Sequence, residues 1–235
     1  MYEIRFTDLG LKDYKATWDI QQHIQQKLVQ QKVSGNNSLH HQYLIFVEHP
    51  HVFTLGKSGK ENNLLVNPDF LHTINAAYYK TDRGGDITYH GPGQIVGYPV
   101  FDLGLLHIGI RDYIHNLEES IILTLQEFGI KAGRLKGATG VWVDSENIIP
   151  SRKICAIGVK VSRGITMHGF ALNVSTNLSY FSYIHPCGFT DKKATSMEEE
   201  LKTQVGSDDV KRILLNKLSG VFNVKFIDTP HSFAS

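Results

Sequence analysis

Two spacings of apolar residues alternate along this chain. Short continuous apolar runs bounded by Gly, Pro or Asn are typical of β-strands, and apolar residues that recur every three or four positions are typical of a helix. The short runs predict strands at 2–6, 43–47, 52–55, 77–81, 95–101, 140–143, 153–161, 165–174 and 221–227. The helical spacing predicts helices at 13–33, 110–128 and 207–218, and a capping box at 196–199 predicts the start of another.

The helix predicted at 13–33 is rich in glutamine, and the one at 110–128 has the most regular apolar spacing. Gly129 ends the second helix, because glycine is common just past a helix C-terminus. Pro99 places its strand near an edge or an end, because proline cannot donate to a ladder. The candidate core residues are Trp18, Ile20, Ile24, Leu28 and Val33 in the first helix and Ile114, Leu117, Ile121, Leu125 and Phe128 in the second.

The order of these elements indicates the fold class. Strands come in runs rather than in strict alternation with helices, which favours an α+β fold with a mixed or antiparallel sheet flanked by helices. At 235 residues the chain is long enough to bury a full core, and neither an internal repeat nor a low-complexity linker divides it. We therefore predict a single domain over 1–235.

Composition excludes several classes of protein. Lys and Arg number 24 against 23 Asp and Glu, so the charge gives no reason to expect a nucleic-acid or membrane partner. No apolar run approaches a membrane span, and the N-terminal residues lack the character of a signal or transit peptide, so we expect a cytoplasmic protein. Two cysteines, Cys155 and Cys187, are too few for a disulfide scaffold, and the histidines show no metal-ligand spacing.

The run from Arg83 to Gln94, RGGDITYHGPGQ, places four glycines among cationic and hydrogen-bonding side chains. Glycine lets a backbone approach a ligand closely, so the run is interpreted either as a ligand cradle or as an elaborate hairpin connection. Nucleotide loops are not matched, because His51 occupies the upstream glycine position of a phosphate loop and Val96 the third glycine of a dinucleotide fingerprint. The loop alone does not decide between the two interpretations.

Cys187 lies in the turn-like run His185-Pro186-Cys187-Gly188, where no predicted strand or helix hides its sulfur. A cysteine is nucleophilic only as the thiolate, so it needs a cation or a base beside it. The candidates for that group are Lys153, His185 and His90. Backbone N–H groups beside the cysteine, with the His90 side chain, are candidate donors to an oxyanion. The alternative is a buried structural cysteine, which is the commoner fate of a free cysteine.

Lys153 stands at the mouth of an apolar strand. Such a lysine is usually a surface residue whose stem packs on apolar neighbours. If it is instead desolvated, its pKa falls and it becomes a plausible proton acceptor for a thiol; in either case its positive charge would stabilise a nearby thiolate. Strand alternation places Lys153, Cys155 and Ile157 on one face and Ile154, Ala156 and Gly158 on the other.

Together these stretches resemble the lipoyl(octanoyl) transferases, the family that makes octanoyl-protein for lipoate biosynthesis. Five blocks occur in the family's order, which makes the resemblance specific although any one block would be weak. It spans roughly Tyr79 to Thr195 and thins toward both ends. The blocks are RGGDITYHGPGQ at 83–94, GVWV at 140–143, RKI at 152–154, TMHGFALNV at 166–174 and HPCG at 185–188.

The resemblance implies a single catalytic domain over 1–235 with a fold like that of biotin and lipoate protein ligases. It implies octanoyl-acyl carrier protein as donor, with lipoyl domains of 2-oxoacid dehydrogenases and the glycine cleavage H protein as acceptors. We expect a monomer without cofactor or metal. Carried over by position, Cys187 is the acyl-thioester nucleophile and Lys153 lowers its pKa. The substrate-binding residues implied are Arg83, Gly84, Gly85, Asp86, Ile87, Thr88, Tyr89, His90, Ala156, Ile157, Gly158, Gly169, Phe170 and Ala171.

Cys155 is a departure, because this family more often has a small residue such as alanine there. On a strand face shared with Lys153 it would lie near the pocket as a rival nucleophile, but Cys187 stands in the matching motif. Candidates for steering an acidic carrier protein are Lys160, Arg163, Lys192 and Lys193, and the glycines expected to open an apolar slot for the acyl chain are Gly84, Gly85, Gly158 and Gly169.

Two other functions stay open. An ATP-dependent lipoate–protein ligase of the same fold also has a glycine-rich loop after an arginine and a lysine equivalent to Lys153, but it does not need Cys187. A non-catalytic lipoyl- or biotin-binding module would keep its binding without Cys187. A covalent acyl adduct on Cys187 in the absence of ATP distinguishes the transferase from both.

Overall fold

The computed structural model describes residues 1–35, 41–144, 151–185 and 193–229. Within these ranges the strands are β1 (Tyr2–Leu11), β2 (Tyr43–Glu48), β3 (Val52–Leu55), β4 (Ala77–Lys80), β5 (Ile87–His90), β6 (Gln94–Val100), β7 (Ala132–Leu135), β8 (Ala138–Val143), β9 (Arg152–Ser162), β10 (Ile165–Asn173), β11 (Lys193–Ala194) and β12 (Val224–Asp228). The α-helices are α1 (Tyr14–Val33), α2 (Pro68–Thr73), α3 (Ile110–Glu127), α4 (Met197–Leu201) and α5 (Ser207–Phe222), and 3₁₀ helices cover Glu61–Asn63 and Leu178–Tyr183.

The strands form one large mixed sheet and one small sheet. The order in the large sheet is β12-β1-β2-β6-β10-β9-β8-β7, and β11 also pairs with β9. β1 is parallel to β12 and β2, and β11 is parallel to β9, whereas the other neighbours are antiparallel. The small sheet has the order β4-β3-β5. A mixed sheet flanked by helices confirms the predicted α+β class.

All strands predicted from the sequence are present, although several of their ends move. β12 begins later than predicted because α5 continues to Phe222, whose ring lies 5.7 Å from that of Phe101 and 6.0 Å from that of Tyr113, between centroids. This packing keeps the last turn helical, and Asn223 then ends the helix at φ 52°. The sequence does not predict β5, β7 or β11, which are at most four residues long.

Helix α1 covers one face of the large sheet. The Asp13 side chain caps it by accepting from the Ala16 N–H at 2.9 Å, and Ile24 and Leu28 are buried as predicted. Val33 is 70 % exposed, so its assignment to the core is wrong. Two of the many glutamines in this helix form buried hydrogen bonds to the large sheet. Buried Gln25 donates to the Ile165 carbonyl at 2.9 Å, and buried Gln21 accepts from the His168 N–H at 2.9 Å, so both satisfy the backbone of β10.

Helices α3 and α5 pack together on the opposite face. The regular apolar spacing of α3 places Leu117, Ile121 and Leu125 in the main core, as predicted, and Gly129 follows the helix at φ 76°. Leu214 and Leu218 of α5 are buried in the same cluster. The site-bearing strands β9 and β10 are therefore held on a sheet that is covered by helices on both faces.

Pro99 lies near the C-terminal end of β6, which is an inner strand rather than an edge. The ladder between β6 and β10 ends at the pair of Gly97 and Phe170. The Pro99 carbonyl accepts from the Thr166 hydroxyl at 2.8 Å. The backbone nitrogen and carbonyl of Pro99 therefore face β10 at a point where the two strands no longer form ladder bonds. The missing N–H of proline therefore removes no ladder bond.

A β-bulge at Ile154 changes which side chains of β9 share a face. Trp142 of β8 pairs with Lys153, but its neighbour Val141 pairs with Cys155, so Ile154 is the extra residue. As a result Ile154 and Cys155 both lie in the main core, while Lys153 is on the other side of the sheet. The predicted shared face of Lys153 and Cys155 is wrong, because strict alternation does not hold across a bulge.

Candidate active site

A cavity of about 680 Å³ lies between the large sheet on one side and the small sheet with the 3₁₀ helix Leu178–Tyr183 on the other. Its volume is in the range of small-molecule sites. The glycine-rich loop, β5, β6, β9 and β10 supply most of its walls, the turn between β7 and β8 closes one side, and Tyr14 of α1 reaches it.

Most residues predicted to bind substrate come together around this cavity, although they lie far apart in the sequence. Lys153 lines the same cavity, and Gly84 and Tyr89 do not. The predicted residues that line it are Arg83, Gly85, Asp86, Ile87, Thr88, His90, Ala156, Ile157, Gly158, Gly169, Phe170 and Ala171.

Gly84 packs against the large sheet instead of lining the cavity. Its N–H donates to the Val159 carbonyl at 2.9 Å, and a Cβ on Gly158 would lie 2.9 Å from the Gly84 oxygen. A Cβ on Gly169 would overlap the backbone of Gly97. These glycines therefore bring backbones into contact, whereas the sequence analysis expected them to open a slot between backbones.

Tyr89 belongs to the core of the small sheet. It is fully buried, its ring stacks on that of Tyr180 with 4.8 Å between centroids, and its hydroxyl is 2.7 Å from His51 Nδ1. Strand alternation in β5 separates it from its neighbours Thr88 and His90, which face the cavity.

The Arg83 guanidinium anchors the glycine-rich loop. Its Nη2 donates to the Thr54 carbonyl at 2.5 Å and to the Thr54 hydroxyl at 3.0 Å, and its Nη1 donates to the Gly84 carbonyl at 3.0 Å. The side chain is 7 % exposed. Arg83 thus ties the loop to β3 and places a buried positive charge in the cavity wall.

His90 is neutral and has a defined tautomer. The amide nitrogen of Gln94 donates to the Tyr89 carbonyl and, at 2.8 Å, to Asn173 Oδ1, so the amide oxygen of Gln94 faces His90 Nδ1 at 2.8 Å and accepts its proton. Burial, then the neighbouring His49, lowers the pKa of His90 to about 3. The other ring nitrogen carries a lone pair and lies 3.4 Å from the Thr54 hydroxyl. In this state His90 has no N–H to donate to an oxyanion.

The hydrogen bonds of His90 continue to the backbone of Lys153. Asn173 Nδ2 donates to the Thr195 carbonyl at 2.9 Å, and the Thr195 N–H donates to the Lys153 carbonyl at 2.9 Å. We call the chain His90–Gln94–Asn173–Thr195 the polar relay. It fixes the glycine-rich loop relative to the strand that carries Lys153.

Lys153 is held between β8 and β11. Its Nζ lies 4.5 Å from the ring centroid of Trp142, and its backbone pairs with Ala194 on the other side. The Trp142 indole N–H donates to the Ala138 carbonyl at 3.0 Å. The ammonium group therefore has an aromatic face beside it at the cavity wall.

The structure describes one of the two cysteines. Cys155 is fully buried in the main core, and burial raises the pKa of its thiol well above the usual range. It lies on the side of the sheet opposite Lys153, so the expectation that it lies near the pocket as a rival nucleophile is wrong. Cys187 falls in 186–192, outside the described residues.

Asp82, His168 and Lys160 form a charged cluster that sequence analysis missed. His168 lines the cavity with Nε2 2.8 Å from Asp82 Oδ1, and Lys160 Nζ is 2.6 Å from Asp82 Oδ2. The hydrogen bond from His168 holds the pKa of Asp82 below its usual range, and burial lowers the pKa of His168. His168 has φ 60° within a strand, and this backbone conformation could not be predicted from the sequence around it.

Of the basic residues expected to steer a carrier protein, Lys160 and Arg163 do not line the cavity. Lys160 is paired with Asp82, and Arg163 lies in the turn after β9, at the end of that strand opposite to Lys153. Lys193 does line the cavity, whereas Lys192 is outside the described residues. In the described ranges no group of three His, Cys, Asp or Glu side chains is placed to hold a metal, and no helix there is long and apolar enough to cross a membrane.

Solved structures with the same fold place this protein in a structural class. A solved lipoate-protein ligase A bound with ATP superposes with a TM-score of 0.73 over 99% of this chain and 92% of that chain, at 16% identity. A biotin protein ligase from Aquifex aeolicus, in complex with biotin and ATP, gives a TM-score of 0.53 over 93% of this chain and 70% of that chain, at 11% identity. The fold is that of lipoate and biotin protein ligases, as predicted.

The sequence comparison narrows this class to a family. The profile of the lipoyl protein ligase A/B catalytic domain matches residues 13–219, and the chain belongs to this family. An octanoyltransferase from Cytophaga hutchinsonii is 50% identical over 231 residues, which cover 96% of this chain and 95% of the relative. An octanoyltransferase from Bacteroides thetaiotaomicron is 50% identical over 218 residues, which cover 93% of this chain and 95% of the relative.

Proposed function

We propose that this protein is an octanoyltransferase that moves an octanoyl group from acyl carrier protein to a lysine of a lipoyl domain through a thioester on Cys187. The observation that carries the proposal is the position of Lys153 on the wall of a partly apolar cavity. His185 and Lys193, which flank Cys187 in the sequence, line the same cavity. The identity of about 50% to octanoyltransferases over nearly the whole chain supports the choice of acyl group.

The first half-reaction forms the thioester on the enzyme. The Cys187 thiolate, stabilised by the Lys153 ammonium, attacks the carbonyl carbon of the octanoyl thioester. A bond from Cys187 sulfur to the acyl carbon forms, the bond from that carbon to the carrier sulfur breaks, and the carrier thiolate leaves and takes a proton from the site or from water. One thioester replaces another, so the step needs no ATP.

The second half-reaction transfers the acyl group to nitrogen. The neutral ε-amine of the acceptor lysine attacks the Cys187 thioester, the carbon–nitrogen bond forms, and the Cys187 thiolate leaves. The amine loses a proton as the amide forms. An amide is more stable than a thioester, so this step drives the transfer forward.

The cavity suits an aliphatic chain. Val96, Ile157, Phe170 and Phe181 give it apolar walls, and a cavity of about 680 Å³ has room for an acyl chain of this size. Burial of each methylene contributes about 0.8 kcal/mol, so the chain supplies much of the binding free energy. The substrate-binding residues of the proposal are those that line the cavity.

The proposal includes the wider setting of the reaction. The donor is octanoyl-acyl carrier protein, and the acceptors are lipoyl domains of 2-oxoacid dehydrogenases and the glycine cleavage H protein. The enzyme acts as a monomer, with 1–235 as one catalytic domain. A reaction that depends on a free thiolate needs a reducing compartment, which supports the cytoplasm.

The decisive experiment is intact-mass analysis after mixing the protein with octanoyl-acyl carrier protein without ATP. Wild type and Cys155→Ala should gain one octanoyl group, and Cys187→Ala should gain none. Cys155→Ala is the matched control because its thiol is buried on the other side of the sheet.

A wild-type protein that gains no octanoyl group would overturn the proposal. If an adduct or product forms only with ATP and free acid, the protein is an ATP-dependent ligase. Binding of lipoyl or biotinyl ligands without turnover, unaffected by Cys187→Ala, would indicate a non-catalytic binding module.

A further inference from the structure

The cavity has two ends that lie far apart along β9. Lys153 and Lys193 line one end, where β9 pairs with β11. Arg83 lines the other end, where a Cβ on Gly158 would lie 3.3 Å from Arg83 Nη1. Gly158 follows Lys153 by five residues in the same strand. At about 3.3 Å per residue, and with one residue taken up by the bulge, the two ends are about 13–17 Å apart.

Apolar side chains line the cavity between these ends. Val96, Ala171 and Ala156 are register partners across β6, β10 and β9, and all three line the cavity. The seven carbon–carbon bonds of an octanoyl chain, each about 1.5 Å long, span at most about 11 Å. A chain whose carbonyl lies at the Lys153 end therefore rests on this apolar surface and ends before it reaches Arg83.

The far end of the cavity is polar. Tyr14, Arg83 and His168 line the cavity there, and all three are buried. His168 Nε2 lies 2.8 Å from Asp82 Oδ1. Arg83 and Asp82 are also the charged groups that act on the Tyr14 hydroxyl. This end therefore offers hydrogen-bonding groups to a ligand rather than apolar surface.

The Tyr14 hydroxyl is available to such a ligand. Its ring stacks on those of Tyr79 and His90, with 5.6 and 5.8 Å between centroids, so the phenol is held in place. Among the described residues, none forms a hydrogen bond with the hydroxyl. Burial raises the pKa of Tyr14 well above its usual range, so the hydroxyl keeps its proton and can donate it. A buried hydroxyl that lines a cavity is hydrated until a ligand replaces the water.

This hydroxyl affects long acyl chains according to their terminal group. A longer alkyl chain displaces the water and offers no hydrogen bond in return, and an unpaired buried hydroxyl costs more free energy than the burial of one methylene contributes. A hydroxyl at the end of a ten-carbon chain lies at most about 15 Å from the carbonyl carbon, which matches the distance between the two ends. Such a group replaces the water as the partner of Tyr14.

We propose that Tyr14 is a specificity-determining residue that disfavours alkyl chains longer than octanoyl and accepts a longer chain that ends in a hydroxyl group. The inference rests on the proposed function, which places the reacting carbonyl at the Lys153 end. It adds a second class of acyl group, the ω-hydroxylated medium-length chain, to the substrates of the same site.

The test compares kcat/KM for transfer to a lipoyl domain from three chains on acyl carrier protein: octanoyl, decanoyl and 10-hydroxydecanoyl. In wild type, decanoyl should be transferred about tenfold less efficiently than octanoyl, and 10-hydroxydecanoyl should recover most of this loss. Tyr14→Phe keeps the ring and removes the hydroxyl. In this variant decanoyl should gain about tenfold relative to octanoyl, and the hydroxylated chain should lose its advantage over decanoyl.

Tyr113→Phe is the matched control, because Tyr113 is a buried tyrosine of the main core and does not line the cavity. It should keep the wild-type ratios, which do not depend on the fraction of folded enzyme. The inference is overturned if wild type transfers decanoyl as well as octanoyl, if Tyr14→Phe keeps the wild-type ratios, or if Tyr113→Phe changes them equally. Absence of transfer from all three chains would instead overturn the proposed function, on which the inference rests.

Discussion

Two buried histidines beside the cavity are fixed as neutral hydrogen-bonding groups. His49 has Nδ1 2.7 Å from the Lys12 carbonyl, to which it donates, and Nε2 2.8 Å from the Tyr98 hydroxyl, from which it accepts. Burial lowers the pKa of His49 to about 4, as it lowers that of His90 to about 3. Both side chains therefore orient cavity residues and carry no charge near neutral pH.

Mild acid is expected to destabilise the protein through these histidines, and His49→Gln should make the loss smaller. Between pH 6.5 and about 5 the unfolded chain binds a proton at His49 that the folded chain does not, so the free energy of unfolding falls as the pH falls. The full effect of one such histidine is about 1.4 kcal/mol per pH unit. Urea unfolding at a series of pH values measures the slope.

An exposed histidine provides the control for this measurement. His23 lies on the solvent side of α1, so His23→Gln is expected to retain the wild-type slope. Equal slopes in wild type and His49→Gln would contradict the assignment of His49 as a buried neutral group.

At the scale of elements, the polar relay connects β5, β6 and β10 to Thr195, the residue that follows β11. Each member donates to the next through a buried side chain or backbone group, from His90 to the Lys153 carbonyl. β11 lies beside Arg152 and Lys153 of β9, where β10 no longer pairs, because the last pair of β9 with β10 is Cys155 with Leu172. The relay joins the short strand to the rest of the site.

Asn173→Asp is expected to break the relay at its centre. The substitution keeps the acceptor for Gln94 but places a carboxylate oxygen against the Thr195 carbonyl, where the amide donated at 2.9 Å. An unsatisfied buried group costs about 1–3 kcal/mol, more for a charge, so the free energy of unfolding should fall by at least that amount. Urea denaturation measures it, and acyl transfer should slow as Lys153 loses its fixed position.

Asn177→Asp is the matched control, because the same chemical change falls on an exposed residue. Asn177 Oδ1 accepts from the Ser179 N–H at 3.1 Å, and a carboxylate can accept the same bond. Stability should stay within about 0.5 kcal/mol of wild type. If both variants behave alike, the relay has no structural role.

At the scale of the whole molecule, the glycine-rich loop joins the two sheets. On the small-sheet side, the N–H groups of 56–58 donate to carbonyls of Arg83, Gly85 and Asp86. On the large-sheet side, the Gly84 N–H donates to the Val159 carbonyl. The loop is therefore hydrogen-bonded to both of the layers that enclose the cavity.

Gly158→Ala should loosen the contact between the layers. The new methyl group would lie 2.9 Å from the Gly84 oxygen, and backbone must move to relieve this overlap. We expect a loss of about 1–3 kcal/mol in the free energy of unfolding and weaker octanoylation. The control is Gly220→Ala in α5, where a Cβ meets nothing within 4 Å and helix propensity predicts a gain of up to about 1 kcal/mol.

Much of the fold followed from local patterns, and the failures have physical causes. Regular apolar spacing predicted α3, and a continuous apolar run predicted β2, because burial on these elements is periodic. The bulge at Ile154 and the late end of α5 depend on pairing and packing with distant residues, which a local window does not contain. The burial of glutamines in α1 was not predicted for the same reason, because their partners lie in β10.

The site was predictable to a similar degree. Most of the residues that the family resemblance assigned to substrate binding line the cavity, and so does Lys153. Gly84 and Tyr89 were misplaced because a motif is continuous in sequence, whereas alternate residues of it face different surroundings. The cluster of Asp82, His168 and Lys160 was missed because three separate segments bring it together.

The extra residue in β9 also limits how this sequence can vary. In a strand, a substitution changes one side chain, but removal of one residue reverses the facing of every position on one side of the deletion. Here Ile154 is the extra residue, so its deletion would restore regular pairing and leave Lys153 on the cavity side and Cys155 in the core, whereas a deletion elsewhere in β9 would turn one part of the strand to the wrong side. We therefore expect homologous chains to differ in length within β9 only at this bulge, and to keep the number of residues constant along the rest of the strand.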